Sequence, residues 1–188
     1  MVASTLEELG YEVLCGSEVV QAEAMMGVPD EEVLAKAMQR ALAEGADPRW
    51  VEKMRGGKTG VVGIMKFARP GKVVGMRFDM DSNEVDETNE ATHRPASEGF
   101  RSIHAGLMHA CGHDGHVTVG LGVAGMLARH KDEMCGVLKI IFQPGEEGVR
   151  GARAMVASGI VDDVDYFLSG HIGFNANRDN MLACMTDG

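Results

Sequence analysis

Val137-Leu138-Lys139-Ile140-Ile141-Phe142-Gln143, followed by Pro144-Gly145-Glu146-Glu147-Gly148, is the stretch on which the fold turns. Val137 to Phe142 is the most strand-like run in the chain, apolar and β-branched, and Pro144-Gly145 bounds it. The segment Gly136 to Gln143 therefore reads as a core strand. Gly148 to Ser158, closed by Gly159, reads as a helix, and Tyr166 to Gly170 as another strand that runs straight into His171-Ile172-Gly173. Strand, helix and strand in that order predict an α/β fold around a largely parallel sheet.

Working outward, residues 2 to 9 read as the end of a helix and Tyr11 to Leu14 as a short edge strand. Val33, Leu34, Ala37, Met38, Ala41 and Leu42 recur at helical spacing opposite Glu32, Lys36, Gln39 and Arg40, with Gly45 as the C′ residue. A short helix from Asp47 to Met54 follows. Gly60 to Phe67 and Lys72 to Phe78 are apolar and β-branched around Ala68-Arg69-Pro70-Gly71, which predicts a hairpin. The long polar stretch from Asp79 to Ile103 has no periodicity and is expected to line a site. Asp114 is placed to cap a helix from Gly115 to His130, apolar on nearly every side and so expected to be buried. A last apolar run, Met181 to Met185, reads as a strand.

At 188 residues, 45% hydrophobic and 24% charged, the composition is that of a globular domain with its own core. No apolar run approaches a membrane span, and the first residues carry neither a basic start nor an apolar secretory core, so a cytoplasmic location is expected. The four cysteines, Cys15, Cys111, Cys135 and Cys184, form no Cys-x-x-Cys pair and suggest neither a zinc knuckle nor a disulfide framework. A formal charge of −10 without clustered Lys and Arg argues against a nucleic-acid partner.

Met108-His109-Ala110-Cys111-Gly112-His113-Asp114-Gly115-His116 packs three histidines, a cysteine and an aspartate into nine residues. That density of metal-ligand chemistry marks a metalloenzyme. In an open α/β sheet, ligands bind beyond the carboxyl ends of the strands. Asp79 and Asp81, Glu146 and Glu147, and His171 each follow a predicted strand and would converge on that rim. Cys111, His113, Glu147 and His171 form a ligand set suited to zinc, manganese or cobalt, whereas calcium and magnesium prefer oxygen alone. Glu146 is then free to act as general base toward a metal-activated water. Adjacent acids alone are commonly a solvated helix start, and Asp79 and Asp81 read equally well as loop caps. His109 and His116 either shape the cluster or touch substrate. His93, His104 and His130 read as ordinary hydrogen-bonded residues. Gly120-Leu121-Gly122-Val123-Ala124-Gly125 matches a dinucleotide glycine pattern but lies inside a predicted helix, where its small residues permit close packing instead.

Met108 to His116, Phe142 to Gly148 and Gly170-His171-Ile172-Gly173, in that order, resemble the metal-dependent amidohydrolases of the M20 peptidase family, in the branch of aminoacylase, hippurate hydrolase and auxin-conjugate hydrolase. Met26-Gly27-Val28-Pro29-Asp30-Glu31, the helix after it, Trp50, and Ser102 to His109 are similar to the p-aminobenzoyl-glutamate hydrolase A-subunit group. The resemblance implies a three-layer αβα zinc-exopeptidase-like catalytic domain with a mostly parallel sheet, incomplete at both ends. On that expectation residues 1–188 are a partial catalytic domain with a helical insert at about 21–58. The rest of the domain, its final histidine ligand and the dimerisation domain would lie outside it. The resemblance further implies two divalent ions (manganese or zinc, or cobalt), Cys111, His113, Glu147 and His171 as ligands, Glu146 as base and Asp81 orienting a ligand. The family's acidic segment normally continues with small or aliphatic residues, where this chain has Ser82-Asn83.

The expected activity is hydrolysis of the amide of an N-acyl amino acid, with p-aminobenzoyl-glutamate favoured and hippurate or auxin conjugates as the alternative. A catalytically silent fragment that binds metal weakly or needs a partner half is the rival. A thiol hydrolase using Cys111 as nucleophile is a third reading that leaves Glu146-Glu147 without a task.

Overall fold

The computed structural model describes residues 1–172. In chain order its elements are α1 (Val2–Glu8), β1 (Glu12–Cys15), α2 (Glu31–Ala43), α3 (Pro48–Lys53), β2 (Val61–Lys66), β3 (Arg69–Asp79), α4 (Arg94–Ser97), α5 (His113–Arg129), β4 (Cys135–Gln143), α6 (Ala152–Val156) and β5 (Tyr166–Ser169). The strand expected at Met181 to Met185 lies outside the described residues. No helix of the described chain is long and apolar enough to cross a membrane.

The five strands form one sheet in the order β1-β2-β4-β3-β5. β4 is central because it is apolar toward both sides, and alternation along it sorts its side chains into two cores. Leu138, Ile140 and Phe142 join Val61 and Met65 of β2 beneath α1 and α5. Ile141 joins Val62 on the opposite face, under Ala154 and Met155 of α6 and the Val19-Val20 segment. Helices on both faces make the three layers. Lys139, on the second face, stays buried by donating to Ile160 O at 2.7 Å and to Asp163 Oδ1 at 2.5 Å. Tyr11 ties the other layer together by donating to Ala124 O at 2.9 Å, and burial pushes its phenol up to about 12, so it remains a donor.

β3, β4 and β5 pair in parallel, as expected, while β1 and β2 pair antiparallel and make the sheet mixed. The hairpin expected of β2 and β3 does not form. Although only Phe67 and Ala68 separate them, β4 lies between, antiparallel to β2 and parallel to β3. Ala68-Arg69-Pro70-Gly71 does reverse the chain, since β2 and β3 run in opposite directions, but it carries the chain past the start of β4 instead of into a paired hairpin; β3 begins at Arg69, and its register shifts between Arg69 and Val73. A doubly apolar strand gains more by burial between two neighbours than at an edge, and that gain overrides the short link. The close crossing depends on glycine. Gly136 has φ +89°, and a Cβ there would lie 2.2 Å from Lys72 O.

Three helix expectations also need correction. α5 starts at His113 after Gly112, whose φ of 86° reverses the chain, so Asp114 lies inside the first turn instead of capping it. α5 is buried on one face only, at His113, His116, Val117, Gly120 and Ala124, while Val119 and Met126 are exposed. α6 is shorter than the expected Gly148 to Ser158, because residues 148–151 are committed to a tight loop. By contrast Gly120 does what its size suggests: a Cβ there would meet the Phe142 and Phe78 rings at 2.9 Å, so glycine lets α5 lie close on the sheet.

Two outcomes follow. Gly136→Ala is expected to lower stability by about 3 kcal/mol through the positive φ and the collision with Lys72 O, measured by urea unfolding. β5 is held at its start by Asp165, whose carboxylate accepts Lys72 Nζ at 2.6 Å and Val73 N–H at 2.8 Å. These bonds hold its pKa below the ordinary carboxylate value, so their stabilisation is present above the unfolded pKa of about 4 and is lost as pH falls through the folded one. Thermal unfolding from pH 7 to 3 should therefore show a smaller acid-induced fall in Tm for Asp165→Asn than for the unsubstituted chain.

Candidate metal centre

Because β3, β4 and β5 run parallel, their carboxyl ends reach one edge of the sheet, with Asp79 level with Gln143 and Arg77 with Ser169. The residues that follow each end are Asp81, Glu146-Glu147 and His171. The start of α5 arrives at the same edge, where a Cβ on Gly112 would lie 3.8 Å from Ile172.

Asp81 ties three of these segments together. Its Oδ1 accepts the Glu146 N–H and its Oδ2 the Glu147 N–H, each at 3.0 Å. Its backbone carbonyl lies 2.9 Å from His113 Nδ1. A carbonyl can only accept, so that nitrogen carries the proton and Nε2 presents a lone pair. His113 is fully buried, and among the described residues neither its Nε2 nor Glu147 Oε1 has a hydrogen-bond partner. Each such orphan costs about 1–3 kcal/mol, an arrangement that fits a bound cation.

Cys111, His113 and Glu147 offer ligand atoms within 4.8 Å of one another, and so do Asp79, His113, His116 and His171. The groups share His113. They also meet at Cys111 Sγ, 3.5 Å from His171 Nε2. Glu146 Oε2 lies 3.9 Å from His113 Nε2, beside the donor groups and outside both.

Asp79 is fully buried and anchors the second group. His116 Nε2 accepts the Ile172 N–H at 2.8 Å, so its other nitrogen donates to Asp79 Oδ1. Arg77 NH1 lies 2.9 Å from Asp79 Oδ2, an ion pair without hydrogen-bond geometry, and Arg77 Nε donates to Gln143 Oε1 at 2.9 Å. Burial by itself pushes the Asp79 carboxyl up, but the His116 bond and the Arg77 charge outweigh it and hold it below the usual range. The Cys111 thiol is pushed up, first by burial and then by Glu147, Glu146 and Asp79. A nucleophilic cysteine has the opposite, electropositive setting, so this geometry speaks against the thiol-hydrolase reading.

Of the residues singled out in the sequence, His109 is exposed and belongs to neither donor group. His93, His104 and His130 each meet a carboxylate elsewhere: Glu87 at 2.7 Å, Glu44 at 2.7 Å and Glu133 at 3.3 Å. Glu146 and Glu147 do not start a helix, since α6 begins at Ala152. Neither aspartate merely caps its own loop. Two contributors escaped sequence reading. Asn83 accepts the Cys111 N–H at 3.0 Å through its side chain and bridges Met108 through its backbone, so the Ser82-Asn83 departure positions the cysteine loop. Arg77 was visible only as a strand residue heading the Arg77 to Asp81 stretch that resembles the family's acidic segment, and nothing in its spacing pointed to a buried partner.

The family model for peptidase family M20/M25/M40 matches residues 75–185. The chain is 51% identical over 172 residues to an indole-3-acetyl-aspartic acid hydrolase of Enterobacter agglomerans, covering 92% of this chain and 39% of that protein. It is 49% identical over 173 residues to the p-aminobenzoyl-glutamate hydrolase A-subunit of Escherichia coli, covering 92% and 40%. Among solved structures, an aminobenzoyl-glutamate utilization protein of Klebsiella pneumoniae superposes with a TM-score of 0.73 at 42% identity, over 93% of this chain and 38% of that one. The chain thus spans about two fifths of the length of the curated relatives it matches. The family match runs through Asp79, Asp81, Cys111, His113, Glu146, Glu147 and His171 alike, and on that ground the chain belongs to peptidase family M20/M25/M40.

Proposed function

We propose that this chain carries the metal-binding part of an amidohydrolase that cleaves the amide between an acyl group and an amino acid. The observation that carries the reading is the pair of buried, unpartnered ligand atoms, His113 Nε2 and Glu147 Oε1, beside the Cys111 sulfur. Cys111, His113, Glu147 and His171 would hold the metal, and the two overlapping donor groups suit a pair of divalent ions, manganese or zinc in character. When bound, such ions lower the pKa of water and polarise an amide carbonyl.

The chain's own residues do the rest. Glu146 takes the proton from the attacking water and returns it to the leaving nitrogen. Asp81 fixes Glu146 and Glu147 by their N–H groups and sets the His113 tautomer. Arg77, Asp79 and His116 carry a chain of contacts to the Ile172 N–H, which places His171. The two curated relatives above are named for conjugates of aspartate and glutamate, which supports an acidic amino acid in the substrate and p-aminobenzoyl-glutamate as the favoured compound. A second reading, a metal-binding half that turns over only with a partner half, is favoured by the two-fifths coverage.

Glu146→Gln is expected to lower kcat by about 10²–10⁴ while metal content per chain stays unchanged; an unaltered rate removes Glu146 as the base. Asp81→Asn is expected to weaken metal binding by roughly 10–100-fold, read by competition with a chelating dye. Turnover restored on mixing the chain with a separately expressed C-terminal half would decide for the second reading.

A further inference from the structure

Just beyond Glu147 the backbone is held unusually tightly. The Val149 N–H donates to Glu146 O at 2.8 Å, and the N–H groups of Arg150 and Gly151 both donate to Gly145 O, at 3.0 and 2.8 Å. Val149 is held at φ 57°, the one positive φ outside glycine among the described residues, a conformation that strains a β-branched residue. A Cβ on Gly151 would lie 1.7 Å from Pro144 O. A loop so constrained fixes the point and direction from which the Arg150 side chain leaves the backbone.

Arg150 lies across two glycines at positive φ. A Cβ on Gly27 would come within 2.9 Å of its Cδ, and one on Gly148 within 2.9 Å of its Nε. Among the described residues the guanidinium has no ion-pair partner, although Glu146 and Glu147 precede it in the same loop. It lines an open pocket of about 220 Å³ whose walls include Met25, Val28 and Pro29 and the Pro144-Gly145 turn that leads into Glu146; Arg150, Val28 and Pro29 are exposed there. Apolar walls with one cation suit a short aliphatic chain that ends in an anion. Pro144, Gly145 and Arg150 fall within the stretch that the family model matches, whereas Met25 to Pro29 fall outside it. A shared catalytic loop thus faces a wall from outside that stretch, which is where selectivity can be set.

We propose that this cavity is the subsite for the side-chain carboxylate of the substrate's amino acid, bound by Arg150, with its methylenes against Met25 and Val28. The proposal rests on the amidohydrolase reading above. A guanidinium is always charged and meets a carboxylate with paired hydrogen bonds, which a lysine cannot reproduce.

The test is calorimetric binding of N-benzoyl-glutamate and its neutral isostere N-benzoyl-glutamine to the Glu146→Gln chain supplied with manganese, with Arg150 intact or changed to Met or Lys. With Arg150 intact the glutamate compound should bind tighter by roughly ten- to a hundredfold. Arg150→Met should erase that preference and leave the glutamine compound nearly unaffected; Arg150→Lys should restore part of it. A preference that survives Arg150→Met overturns the subsite, and an equal loss for both ligands assigns the cavity to the acyl half and overturns it too. If neither compound binds with Arg150 intact, alone or after mixing with the separately expressed C-terminal half, the amidohydrolase reading falls along with the subsite, whereas binding without preference overturns the subsite alone.

Discussion

The carboxylate of Asp81, accepting two consecutive backbone N–H groups while its own carbonyl takes a histidine proton, is the constraint around which the rim is built. It joins the end of β3, the loop after β4 and the first turn of α5, segments that share no other sequence neighbourhood. With both oxygens taken by backbone donors, this carboxylate holds its neighbours in place instead of joining either donor group.

Charge follows from the same arrangement. Asp79, Asp81, Glu146 and Glu147 gather at one edge of a chain that is already acidic overall, with the partly buried Arg77 paired to Asp79. Like charges held this close repel, and the Cys111 thiol registers their field. The cluster is thus electrostatically unfinished in a way that the cores on the two faces of the sheet are not. Sheet and helices can be close-packed from apolar alternation alone; the rim calls for a counter-charge.

How much was legible in the sequence follows that division. β4 announced itself because a strand buried on both faces reads as a continuous apolar run, and the density of ligand types from Met108 to His116 marked the site region. The rule that ligands gather beyond strand ends then brought distant residues to one rim. What failed depended on partners far along the chain. β2 and β3 look like a hairpin because their link is short, and nothing local reveals that β4 separates them. Asn83 reads as a loop residue until its amide oxygen is seen to hold the Cys111 N–H, and Arg77 reads as a strand residue until Asp79 is seen beside it. The start of α5 was misplaced because Gly112 supplies the reversal by its backbone alone, where a side-chain cap was expected.

The insertion of β4 between β2 and β3 also shapes how the chain reaches this structure. Closing a loop costs less entropy the nearer its ends, so β2 and β3, linked by Phe67 and Ala68, find each other long before β4 has reached either. That encounter puts the wrong strands side by side. Ease of local contact and native topology are therefore opposed here, and pairings that depend on such distant segments form more slowly than local ones.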